Sequence, residues 1–404
     1  MPGSPSRSHG GGAHGAIVAA VAVSTTCVLP PFLVGALSVQ VRRDLGFGEA
    51  SLGLAVAGSF LVAAFMSALA GRMMERIGPA TGMRGAAVIA ALALLGMAAS
   101  SSFGALAAFL AVAGFANTGA QTGSNLMLAR AVPAGRQATA FGIKQSAIPA
   151  AMLLGGIAVP AVALTIGWRW AFVGAAALAL ASAGLVPRSP RPDRSVDADR
   201  ARLRVTPTLV VLGLAGGLGA TAANTLGAFL VASTVNTGVS EGAAGLLYAL
   251  GSAVGLASRV LVGVAADRAR RSDTLPMVGV MLTGGAVGFG LLATGNRTVL
   301  IPAVLLAYGL GWGWPGLFNW AVVARHPEAP AAATGITQTG VYFGAVTGPV
   351  VFGLLAEGVS YRAAWLVALG CSLAAAAAVL AAGRVSERAG RSAPPPPGAG
   401  ALSG

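Results

Sequence analysis

Apolar runs of roughly 20 residues follow one another along almost all of a 404-residue chain. Each is long enough to cross a hydrocarbon core about 30 Å thick as a helix rising about 1.5 Å per residue. In lipid no backbone amide can be left unpaired, so only helices and closed barrels span. Barrel strands would be shorter and would alternate apolar with polar residues. The runs fall at 16–39, 50–70, 82–101, 104–130, 138–163, 168–187, 207–233, 242–265, 275–295, 298–323, 332–357 and 361–382. Only 9% of residues are charged and the mean hydropathy is +0.78, against about 25% charged in soluble domains. The expected fold is all-α and integral to the membrane, with twelve transmembrane helices.

The runs form two copies of one unit. Gly142-Ile143-Lys144-Gln145-Ser146 is answered by Gly335-Ile336-Thr337-Gln338-Thr339, and Trp168-Arg169 by Tyr361-Arg362, both at an offset of 193. Glu49-Ala50-Ser51-Leu52-Gly53-Leu54 pairs with Glu241-Gly242-Ala243-Ala244-Gly245-Leu246, and Gly71 to Arg76 with Gly263 to Arg268, at an offset of 192. Correspondences in order at nearly one offset mark an internal repeat. The expected organisation is two pseudo-symmetric six-helix bundles, 16–187 and 207–383, joined by a cytoplasmic linker at 188–206. A cytoplasmic tail at 1–15 and a disordered one at 384–404 complete it. Repeated six-span halves are a recurrent way for secondary transporters to hold a solute between two bundles.

The net charge of +14 does not point to nucleic acid, because the basic residues are not gathered into one folded, aromatic-rich domain. With both termini inside, inner loops, inner span ends and tails hold 19 of the 26 Lys and Arg, outer loops hold 5, and two lie deep within spans. That asymmetry predicts a multi-pass protein of the cell membrane with both termini cytoplasmic. The first span is expected to be an uncleaved helix rather than a signal peptide. Cys27 and Cys371 fall inside apolar spans, where small buried side chains are expected rather than a disulfide or a metal cluster. His9, His14 and His326 have no ligand spacing, and neither a phosphate-binding loop nor a catalytic constellation is visible. Neither an enzyme nor a cofactor is expected.

After the eighth span stands Gly263-Val264-Ala265-Ala266-Asp267-Arg268-Ala269-Arg270-Arg271. Over about residues 16 to 383 the chain resembles the twelve-helix members of the major facilitator superfamily, whose pattern here is Gly-x-Leu-x-Asp-Arg-x-Gly-Arg-Arg. The first copy departs further: Gly71-Arg72-Met73-Met74-Glu75-Arg76 puts Glu for Asp and lacks the trailing basic pair. The resemblance implies that Asp267 with Arg268, and Glu75 with Arg76, gate the cytoplasmic face, more weakly in the first half. The alternative is that these are solvated loop charges marking topology.

Spans three, six, nine and twelve are almost wholly Ala, Leu, Val and Gly, while spans one, four, five, seven, eight, ten and eleven carry amides, hydroxyls, indoles and charges. The resemblance implies that the polar group lines a central cavity. Asn117, Gln121 and Asn125 recur at i, i+4 and i+8 on one face of the fourth span, for a solute or for bonds between helices. The tenth span carries Trp312, Trp314, Asn319 and Trp320, and the eleventh Gln338 and Tyr342 one turn apart. Trp314, Asn319, Gln338 and Tyr342 are candidates to shape the cavity, packing or lipid contact being the alternative for the indoles. Gly340, Gly344 and Gly348, with their counterparts Ala147, Ala151 and Gly155, make smooth helix faces expected to pack the halves together. Gly348-Pro349 is a candidate hinge.

Lys144 and Arg259 are full charges inside spans, each eight residues from the nearest inner-end charge and so about 12 Å deep. An intramembrane cation costs several kcal/mol unless something compensates it. Snorkelling toward the cytoplasm is the other course open to Lys144. No carboxylate lies at comparable depth in the sequence, so the solute is expected to bring the negative charge. Gly255-Leu256-Ala257-Ser258-Arg259 is similar to the eighth helix of oxalate/formate antiporters and monocarboxylate porters, which implies that Arg259 holds a carboxylate. The lysine those antiporters carry on the eleventh helix is Thr337 here. The expected function is secondary transport of a small organic anion by alternating access, with or without a proton or counter-anion, by a monomer in the lipid bilayer. Efflux of a drug-like metabolite and a non-transporting sensor are the alternatives.

Overall fold

A computed structural model describes residues 9–187, 205–268, 274–326 and 329–392. Its first half comprises α1 (His9–Ala36), α2 (Ser38–Leu45), α3 (Glu49–Ile77), α4 (Pro79–Ala99), α5 (Phe103–Ala131), α6 (Ala134–Gln145), α7 (Ala147–Ala158) with a π-helical extension at Val159–Ala163, and α8 (Trp168–Gly184). The second comprises α9 (Pro207–Asn236), α10 (Glu241–Arg268), α11 (Leu275–Ala293), α12 (Leu300–Gly309), α13 (Pro315–Arg325), α14 (Pro330–Gly358) and α15 (Tyr361–Ser392). All are helices, as expected, and ten are long and apolar enough to cross a membrane unaided. The other two crossings are α8, only 17 residues long, and the α12–α13 pair, which is broken in the middle. The expected linker falls outside the described residues except for 205–206. α1 begins at His9 and α15 runs to Ser392, so helix occupies part of both expected tails. Once an apolar span has formed, adding turns costs little.

The two ends of the bundle are packed differently. At the end opposite the chain termini one apolar core joins both halves, from Phe32 and Phe172 through Phe229 and Tyr248 to Phe352 and Trp365. Toward the termini this core continues in the first half alone, past Met83 and Met127 and beside a small cluster around Leu128, while the second half has its own cluster around Trp314 and Phe318. The helix pairs that join the halves are α3 with α14, α7 with α10, and α1 with α9. They touch through glycines: Gly53 faces the backbone of Pro349, Gly156 faces Ala249, and Gly35 faces the Gly227 carbonyl. The repeat makes the first two contacts equivalent, Gly245 and Gly156 standing where Gly53 and Pro349 stand.

The stripe Gly340, Gly344 and Gly348 does not join the halves. It lies against Gly213, Gly217 and Thr221 of α9, within its own half, and Gly155 likewise meets Phe32, Leu33 and Ala36 of α1. Contact between halves belongs to other faces of these helices, because a close-packed helix must serve neighbours on two sides. No break marks the candidate hinge, since α14 continues through Pro349; the breaks fall at Ser146 and at 310–314. Each precedes a proline, Pro149 and Pro315, whose missing N–H frees the carbonyl four residues earlier.

Candidate functional site

The amide stripe of α5 and the end of α6 form one polar cluster. Thr118 of α5 bonds to the Ala63 carbonyl of α3 and Ser124 to Ser24 of α1, which turns Asn117, Gln121 and Asn125 toward α6. There Lys144 Nζ donates to Gln121 Oε1 and, at 3.1 Å, to Asn125 Oδ1, while Gln121 Nε2 donates to Asn117 Oδ1 at 3.3 Å. Lys144 is 4% exposed, so the ammonium is buried on the stripe instead of reaching for the surface. Its partners are neutral oxygens, and no ion pair among the described residues includes it.

Arg259 is compensated differently. Pro149 frees the carbonyl of Gln145, and Arg259 Nη1 crosses from the other half to donate to it at 2.8 Å. Nη2 and Nε donate at 3.1 and 3.3 Å to the carbonyl of Trp312, in the turn that ends α12. Backbone carbonyls thus hold Arg259 where a solute anion was the expected partner. A helix C-terminus carries about −0.5 elementary charge, so the end of α6 offsets part of the guanidinium's charge and the Trp312 carbonyl adds a second acceptor. The sequence signal for this was available: a proline four residues after Gln145 announces a free carbonyl.

Trp314 also departs from expectation. It is 2% exposed in the second-half core, edge-on to Phe318, and its indole N–H satisfies the Gly311 carbonyl that Pro315 frees. A wall for the cavity is not among its contacts. Trp312 packs edge-on to Phe32 of the first half, with ring centroids 5.9 Å apart. Beside it a small pocket between the halves is lined by Ile148, Pro149, Met152, Gly255, Arg259, Tyr308 and Trp312. Tyr308 was not singled out in the sequence, where an aromatic in an apolar run looks like core. Asn319 and Gln338 are half-buried and Tyr342 is exposed, and among the described residues none of their side chains is hydrogen-bonded.

Among the described residues the gating candidates are not brought together. Glu75, Arg76 and Arg268 are exposed and form no ion pair among the described residues, and the side chain of Asp267 lies outside them. The ion pairs among the described residues, and hydrogen bonds of three carboxylates, stand at the opposite end. Glu241 of α10 accepts from Arg43 at 3.0 Å and from Gln40 at 3.1 Å, both of the first half. Glu49 of α3 accepts from Arg42 and, across the halves, from the hydroxyl of Tyr361. Glu357 accepts from the backbone N–H of Ala50 at 2.8 Å. Glu49 and Glu241 are repeat partners, so the repeat could have flagged this seam.

Comparison with known proteins agrees with the architecture. The family profile described as Major Facilitator Superfamily matches residues 15–339 and 212–402. The uncharacterized MFS-type transporter YdeG of Bacillus subtilis (strain 168) is 32% identical over 156 residues, which are 37% of this chain and 35% of that protein. The match thus spans about a third of that relative. Among solved structures, a bacterial homolog of the human lysosomal transporter Spinster aligns with a TM-score of 0.72 at 17% identity, covering 91% of this chain and 96% of that one. The nucleoside transporter NupG gives 0.72 at 16% identity over 91% and 99%. A D-xylose-proton symporter gives 0.69 at 19% identity over 91% and 96%. At such identities the likeness speaks for the fold, and together with the profile match it means that this chain belongs to the major facilitator superfamily.

Proposed function

We propose that the protein is a secondary transporter working by alternating access, and that its solute is a small organic anion drawn to Lys144. The observation that carries this reading is a buried ammonium whose only partners among the described residues are the neutral oxygens of Gln121 and Asn125. Amides solvate a cation without neutralising it, and a desolvated charge in a membrane calls for a counter-charge. Asn117, Gln121 and Asn125 then orient the anion, while the unengaged side chains of Asn319, Gln338 and Tyr342 meet its polar groups. Arg259 shares the site from the other half, but its donors already hold backbone carbonyls. The similarity to oxalate/formate antiporters and monocarboxylate porters therefore supports the solute class less than Lys144 does. Alternating access is supported by the packing, which joins the halves at one end and separates their cores at the other. The charge asymmetry favours the cytoplasm for the parted end. In that orientation Asp267, Arg268, Glu75 and Arg76 belong to an inner latch that closes when the outer seam opens.

A neutral polyhydroxylated solute is the second reading, favoured by the run of three amides and by what NupG and the xylose symporter are named for. Flux in proteoliposomes against a panel of carboxylates, sugars and nucleosides separates the two. Lys144→Gln is expected to reduce carboxylate flux at least tenfold in a protein that still folds. Undiminished carboxylate flux in that variant, or flux of sugars alone in the wild type, refutes the anion.

A further inference from the structure

The two halves differ where their repeats should match, at the end opposite the termini. In the first half Asp44, at the end of α2, closes onto the start of α8. Its Oδ2 accepts from Arg169 Nη1 at 2.6 Å and from the Trp168 indole at 3.1 Å. The bond from Arg169 holds the carboxyl below the usual carboxylate range. The repeat carries Trp168-Arg169 to Tyr361-Arg362 and Asp44 to Asn236. The second half thus keeps the arginine and has lost the carboxylate. Arg362 is exposed and is hydrogen-bonded or ion-paired to nothing among the described residues. In this region the second half has a pocket, bounded by Thr234, Asn236, Thr294, Ser360 and Arg362 and floored by Trp365. Thr234 is 1% exposed and its hydroxyl has no partner. The pocket also borders the first turn of α15, whose free amides favour negative charge.

We propose that this pocket is a second, peripheral anion site, taking a small carboxylate from the aqueous phase in the place that Asp44 fills in the first half. Arg362 supplies the counter-charge, and the hydroxyls of Thr234 and Ser360 supply donors, that of Thr294 being given to the Leu291 carbonyl. Tyr361, next in the chain, donates to Glu49 across the seam, so an anion bound here steadies the sealed end. The site stands apart from Lys144 and does not depend on what the protein transports.

The test is calorimetric titration of malonate into the full chain carrying Lys144→Gln, which silences the central site, in nanodiscs of neutral phosphatidylcholine. Binding is expected, and both Arg362→Gln and Asn236→Asp should weaken it at least tenfold. The first removes the counter-charge, and the second supplies the internal carboxylate that the repeat lacks. Absence of binding, or unchanged affinity in either added variant, overturns the proposal. A tenfold loss of malonate affinity on adding phosphatidylglycerol to the discs would assign the pocket to lipid headgroups and overturn the aqueous source.

Discussion

The end that holds the halves together and the end that lets them part are built from the same residue types with opposite consequences. At the joined end Gly53, Gly156 and Gly245 sit where an added Cβ would strike the other half. At the parted end Gly142 and Gly335, also repeat partners, have nothing within 4 Å of where a Cβ would lie. Charges divide in the same way, paired across the seam at Glu49 and Glu241 but solvated at Glu75, Arg76 and Arg268. Composition alone does not tell which end is closed. A glycine becomes a contact only where another backbone arrives, and small residues serve in membranes by permitting that approach.

The sharpest way to break the comparison is to fill a glycine at each end. At Gly156 a Cβ would stand 2.6 Å from the Ala249 amide nitrogen, so Gly156→Leu must push α7 from α10. Overpacking of this kind costs about 1–3 kcal/mol, to be seen as a lowered unfolding temperature in detergent. Gly335→Leu should leave that temperature unchanged yet stop transport, because the proposed alternating access requires its end to close in turn. Equal thermal effects at the two sites would erase the distinction between the ends.

A smaller effect is expected from the charged seam. Tyr361→Phe deletes the hydroxyl that reaches Glu49 and should shift the protein toward the state open at that end by about 1 kcal/mol. An impermeant thiol reagent acting on a cysteine placed at Thr221 measures the shift. An unaltered labelling rate would show that the glycine contacts hold the seam without the charges.

The smallest effect concerns Asp44, bound by Arg169 and Trp168 outside the span. Its folded pKa is depressed, so its contribution is fully present above the unfolded value of about 3.9. It is lost as pH falls through the lower, folded value. The difference in unfolding temperature between wild type and Asp44→Asn should be small, constant from neutral pH to about pH 5, and should vanish in more acid solution. A difference that grows with acidity would contradict the sign.

What the sequence determined by itself is the part of the fold that follows from local rules. Apolar length against membrane thickness yields twelve crossings, and the recurrence at 192 and 193 residues yields two equivalent bundles. The amide stripe Asn117, Gln121 and Asn125 was legible because helical period alone puts three such residues on one face. Tertiary structure decided which partner each face meets. The Gly340 stripe turned inward to α9, and Trp314 entered the core. Arg259, which looks alone in the sequence, found carbonyls that Pro149 and the turn after α12 had released. Neighbours from 19 to 114 residues away are not encoded in local spacing, and compensation of a buried charge depends on what stands within about 3 Å of it. That is why the burial of Lys144 on neutral oxygens, on which the proposed function rests, came from the fold and not from the chain.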